Sequence, residues 1–136
     1  MANSTSANLE LTVQATGENS GTWGQITNTN LLILEQAIGG FTTFNLTNAN
    51  RSLTFTNGAL SNGINDVIKL TGTLAANRTV SIPDSIEKVY NVQNACDHAG
   101  YTLTFKTSSG TGVLLAEGNN YVLYSCLLYT SPSPRD

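Results

Sequence analysis

Ala49-Asn-Arg-Ser-Leu-Thr-Phe55 and Ala76-Asn-Arg-Thr-Val-Ser-Ile82 share one form, Ala-Asn-Arg followed by Ser or Thr alternating with an apolar residue. Gly100-Tyr-Thr-Leu-Thr-Phe105 echoes the second half of it. A turn feeding an alternating strand produces this pattern, because Asn tolerates the left-handed backbone of a turn and the residues after it point by turns to core and solvent. The repeat predicts Arg51 and Arg78 at equivalent strand starts. The opposing explanation is that any Thr-rich β-protein yields such echoes.

Other short candidate strands surround these: Phe44-Asn-Leu-Thr47, Val67-Ile-Lys-Leu70, Val89-Tyr-Asn-Val92, Gly112-Val-Leu-Leu115 and Tyr121-Val-Leu-Tyr124. Asn-Gly, Gly-Thr and Asn-Asn pairs separate them, and Pro83 closes one strand without interrupting it. The regular spacing predicts a mainly β fold over 41–125, either an antiparallel β-sandwich-like or barrel structure or an intertwined trimeric β-structure.

Composition agrees. Only 11% of the 136 residues are charged, and Thr outnumbers Lys, Arg, Asp and Glu together. Such a chain covers the wet faces of its strands with Thr, Asn and Ser in place of charge. It is long enough for one core, burying about two thirds of its unfolded surface. A net charge of -3 leaves no basic patch, so nucleic acid is not an expected partner. No apolar run has membrane-spanning length, and the N-terminus lacks the basic and apolar regions of a secretion signal.

Residues 1–40 read differently. Leu9, Leu11 and Val13 alternate with polar residues as a strand, which Gly17 ends. Gly21 and Gly24 bracket Trp23, whose indole is expected to pack down as a buried anchor, costing about 3 kcal/mol or more on truncation to Ala. Thr27 or Asn28 is the expected N-cap of a helix running to Ile38, with Gly39-Gly40 as its stop. Leu31, Leu34 and Ile38 form one stripe, and Leu32, Ile33 and Ala37 widen it. So apolar a helix needs cover, from its own protomer or at a subunit interface.

Thr16-Gly-Glu-Asn-Ser-Gly-Thr-Trp-Gly24 with the helix after it, through Gly40, resembles the N-terminal segment of tail-fibre and related structural proteins of tailed, particularly marine, bacteriophages. Leu70-Thr-Gly-Thr-Leu-Ala-Ala-Asn-Arg-Thr-Val-Ser-Ile-Pro83 and Thr107-Ser-Ser-Gly-Thr-Gly-Val113 resemble the middle of the same proteins. The resemblance implies a virion structural protein concerned with tail attachment or host recognition. It also implies a homotrimer with other tail proteins as partners, a host cell-surface glycan as a further one, and a virion location after synthesis in the host cytoplasm. The alternative is a bacterial surface or secreted carbohydrate-binding β-module, in which Trp23, Tyr101 or Tyr121 stacks on sugar rings.

No catalytic, cofactor or metal site is expected. Cys96-Asp-His98 offers two zinc-ligand types where three or four are usual, and reads as a polar turn, Asn94-Ala-Cys-Asp-His-Ala-Gly100. Asp84 and Glu87 are spaced closely enough to bring a glycosidase pair to mind, but Pro83-Asp-Ser-Ile-Glu87 reads as a solvated turn. A single His and no Ser-centred motif argue against a hydrolase triad.

Cys126-Leu-Leu-Tyr-Thr-Ser-Pro-Ser-Pro-Arg-Asp136 resembles, over all eleven residues, the translation of a transposase-type sequencing adapter. This implies an assembled environmental read whose natural chain continues past Ser125, and leaves Cys96 as the sole native cysteine. A chain lacking Cys126–Asp136 is expected to melt within a few degrees of the full chain. A fall of ten degrees in a calorimetric scan would make the segment part of the fold.

Overall fold

The computed structural model describes residues 2–126 and 129–131, the last three for their backbone alone. It is mainly β with one helix. A short hairpin of β1 (Ser4–Thr5) and β2 (Thr12–Val13) precedes α1 (Trp23–Gly39). The strands β3 (Phe41–Asn45), β4 (Arg51–Ser52), β5 (Val67–Thr71), β6 (Arg78–Ile82), β7 (Glu87–Asn94) and β8 (Leu103–Thr107) then alternate between two sheets. β9 (Val113–Leu114), β10 (Asn120–Cys126) and β11 (Tyr129–Ser131) complete them.

The antiparallel arrangement expected from the sequence is corrected here. β3, β5 and β7 pair parallel in one sheet, and β4, β6 and β8 pair parallel in the other. Each strand crosses to the opposite sheet before the chain returns beside its predecessor, so a coil takes about 25 residues. Among the described residues antiparallel pairing is confined to β1–β2, β8–β9, β7–β10 and β10–β11. One-faced strands alternate identically in either direction, and Gly- and Asn-rich turns route a chain between sheets as readily as they close a hairpin.

Alternation places one core between the sheets. Ile68, Leu70, Tyr90, Val92 and Leu123 point in from the first sheet, and Leu53, Val80, Ile82, Leu103 and Phe105 from the second. Tyr90 and Phe105 meet as tilted rings, 5.9 Å between centroids. The buried Tyr90 hydroxyl donates to the Gly63 carbonyl.

The repeat has a physical function, although its Arg residues do not stack. Asn50 Oδ1 accepts from the Thr79 amide and Asn77 Oδ1 from the Thr102 amide, both at 3.0 Å, so each Asn ties its turn to the next coil. Arg51 lies beside Val80, and Arg78 beside Leu103. The strands are thus slid two residues from the sequence alignment, which preserves inward and outward parity. Both guanidinium groups reach back to one turn: Arg51 Nε to the Asn45 carbonyl, Arg78 Nε and Nη2 to those of Leu46 and Thr47.

The N-terminal hairpin lies along α1. Asn30 exchanges two hydrogen bonds of 2.9 Å with the backbone of Thr12, standing in for a neighbouring strand, and the Gln14 side chain reaches the Thr27 hydroxyl. The Glu10 carbonyl accepts from Gly58, and Asn8 Oδ1 accepts from the Glu87 amide, tying 1–40 to the β body. The strand expected at Leu9–Val13 shortens to Thr12–Val13 because Glu10 takes a positive φ of 57°. The helix begins earlier than expected, with Thr22 and not Thr27 or Asn28 as N-cap. The Asn19 carbonyl accepts from both Thr22 and Trp23, starting the helix, while Thr27 and Asn30 serve the N-terminal segment. The stop falls at Gly40 as expected, where a Cβ would collide with the Gln36 carbonyl and Asn65 Oδ1.

Of the adapter-like segment, Cys126 ends β10 and the Tyr129–Ser131 backbone pairs with it; Leu127, Leu128 and 132–136 lie outside the described residues.

Arg78→Ala should cost about 2 kcal/mol, since it strips two turn carbonyls of a charged donor, and the exposed Arg51→Ala under about 1 kcal/mol. Urea denaturation of both variants checks this; equal losses would contradict the assignment.

Candidate functional site

Asp84 and Glu87 stand on different elements, and the Asp84 carboxylate is engaged by a turn. Asp84 accepts from the Ser109 amide and hydroxyl, at 2.9 and 2.6 Å, and these bonds hold its exposed carboxyl below the usual range. Glu87 starts β7, where its amide is taken by Asn8. Asp84 therefore pins one turn against another.

Cys96 and His98 are both buried in the turn between β7 and β8. Asn94 organises it: Oδ1 accepts from the Cys96 amide, and Nδ2 donates to the Ala116 carbonyl and to His98 Nε2. With the amide oriented by two backbone groups, Nε2 is the acceptor of that bond. Burial, then Glu117, pushes the Cys96 thiol up to about 11, away from the thiolate a metal or nucleophilic site needs. No group of three or more His, Cys, Asp or Glu residues suited to a metal occurs among the described residues.

Lys88 is partly buried, with Nζ 4.3 Å from the centre of the Tyr90 ring and bonded to the Asn65 carbonyl. Burial holds its pKa below the usual range against the pull of Asp66.

Apolar side chains lie open on the surface. Trp23, expected as a buried anchor, is 63% exposed. It occupies the first turn of α1, one turn before Thr27 and two before Asn30. The helix buries only Ile33 fully, and its stripe of Leu31, Leu34 and Ile38 faces outward with Leu32. Beside it a groove of about 460 Å³ is lined by Leu32, Glu35, Gln36, Gly39, Gly40 and Leu60. Gln36 donates to the Ser61 carbonyl, and its buried Oε1 has no partner among the described residues.

A second apolar area, which the sequence reading missed, lies on the outer face of the first sheet. Phe41, Val67, Asn91 and Val122 stand side by side across four strands, and Tyr124 lies beside Val89. Phe41, Val89, Val122 and Tyr124 are all exposed. The signal was present in Tyr121-Val-Leu-Tyr124, which is apolar on both parities.

The three aromatics proposed for sugar stacking sit on separate elements. Trp23 is on α1, Tyr101 is in the turn before β8, and Tyr121 on β10 packs against the core with its hydroxyl bonded to the Ala116 amide. No protein family, curated protein or solved structure matches the chain.

Trp23→Ala is expected to cost less than about 1 kcal/mol in thermal or urea unfolding, as for exposed positions. A loss of about 3 kcal/mol, the figure for a buried indole, would place the ring in a core.

Proposed function

We propose that the chain is a structural part of a tailed-phage virion, belonging to a tail fibre or related appendage that attaches to the tail or contacts the host. In this reading it is a homotrimer, an intertwined or closely packed trimeric β-structure, with other tail proteins as partners and no catalytic role. The observation that carries the reading is the pairing of a charge-poor parallel β body with an N-terminal helix whose apolar stripe stays in water. A parallel coil held by backbone ladders suits a load-bearing appendage, and the open stripe suits assembly. The phage-like stretches at 16–40, 70–83 and 107–113 point the same way.

A carbohydrate-binding module is the second reading. Exposed Trp23 and Tyr101 favour it, since an aromatic face in water is what a sugar ring stacks on. Under the virion proposal such a ring would serve a host-surface glycan.

Purified virions of a phage carrying this gene, analysed by quantitative mass spectrometry, are expected to contain its product in a copy number divisible by three. A product confined to the soluble fraction of infected cells would overturn the proposal, and retention on a glycan array by that soluble product would favour the module.

A further inference from the structure

We propose that the exposed stripe of α1 is a seam along which copies of this chain associate, helix against helix in parallel; this deepens the homotrimer reading and rests on it. Thr27, Leu31, Leu34 and Ile38 follow alternating four- and three-residue steps, the a/d spacing by which identical helices interdigitate. Leu31, Leu34 and Ile38 are 58%, 37% and 79% exposed. The face turned to the protomer's own body is a different one, centred on buried Ile33 and including Asn30, roughly a third of the way round the helix. Thr27 and Asn30 hold the hairpin at the N-terminal end of the stripe, so a partner helix reaches Leu31, Leu34 and Ile38 without displacing it.

Charge favours a second copy as the occupant. Glu35 is the sole charged residue of α1, and it flanks the stripe at an e position. Across a parallel seam the residue facing it is Asn30 of the other copy, so like charges do not meet. Nothing on this helix would recruit a basic or acidic partner by field.

The area decides the strength. Trp23, Leu31, Leu34 and Ile38 leave on the order of 500 Å² in water, at the upper end of what lone proteins expose. A standard interface takes about 800 Å² from each partner, so one helix-to-helix contact is undersized. In a threefold bundle each helix is covered by two neighbours, which doubles the contact each stripe can make.

The test is sedimentation velocity on the full chain over a range of micromolar concentrations. Association is expected, and Leu31→Asp with Ile38→Asp should raise the dissociation constant at least tenfold while leaving the circular dichroism unchanged, because Ile33 keeps the helix in place. As a second measurement that does not depend on how the charged variant folds, Ile38→Cys in a Cys126→Ser background should form an intermolecular disulfide on mild oxidation, and Gln25→Cys, on another face, should not. A parent chain that stays monomeric throughout overturns both the seam and the homotrimer reading. An oligomer whose dissociation constant the double variant leaves unmoved, with no Ile38→Cys cross-link, overturns the seam alone.

Discussion

Two parallel ladders have to deliver their alternate side chains into one shared core, and that requirement fixes most of this structure. Ile68 and Leu70 from one sheet and Val80 and Ile82 from the other are fully buried, and a slip of one residue in either ladder would turn its row into water. A slip of two is allowed, and the protein uses it: the strands of successive repeats are displaced by two residues, yet every inward position stays inward. The turns absorb the displacement. Gly72, at a φ of 101°, holds one of them in the left-handed region, where a Cβ would also meet the Thr47 hydroxyl.

Polar groups in those turns are satisfied by side chains on the coil before or after. Asn50 and Asn77 accept amides one coil ahead, Arg78 donates to carbonyls one coil behind, and Arg51 donates to one in the turn of its own coil. Asp84 and Asn94 act in the same way on the turns at Ser109 and Ala116. Asp84, which a search for chemistry would single out, is thereby engaged in holding a turn. What remains free on the surface is apolar, along α1 and across the outer row from Phe41 to Val122. The proposed assembly uses that free surface.

Legibility followed the length scale of each interaction. Val67–Thr71 and Arg78–Ile82 were readable because alternation within a strand reports its own burial. The Ala-Asn-Arg repeat was readable for the same reason, and it marks real turns. Pairing direction was not, since Val80 alternates identically whether Phe105 lies beside it in a parallel or an antiparallel ladder. The start of α1 was missed because Thr27, a good capping residue by type, spends its side chain on Gln14 while the helix already starts at Trp23. Trp23 was misread as buried on size alone, and the stripe of Leu31, Leu34 and Ile38 was visible as a stripe but not as the outward one. Which of two apolar faces a helix turns inward depends on residues distant in sequence, here the 3-10 turn Asn62–Ile64 and the hairpin.

The central claim is the parallel coil, and backbone nuclear Overhauser contacts between strands test it most directly. The account predicts amide-to-α-proton contacts linking Thr42 with Ile68, Ile68 with Val92 and Val80 with Phe105, without the close pairs of facing α-protons that antiparallel strands give. Facing α-proton contacts between β5 and β7, or between β6 and β8, would contradict it.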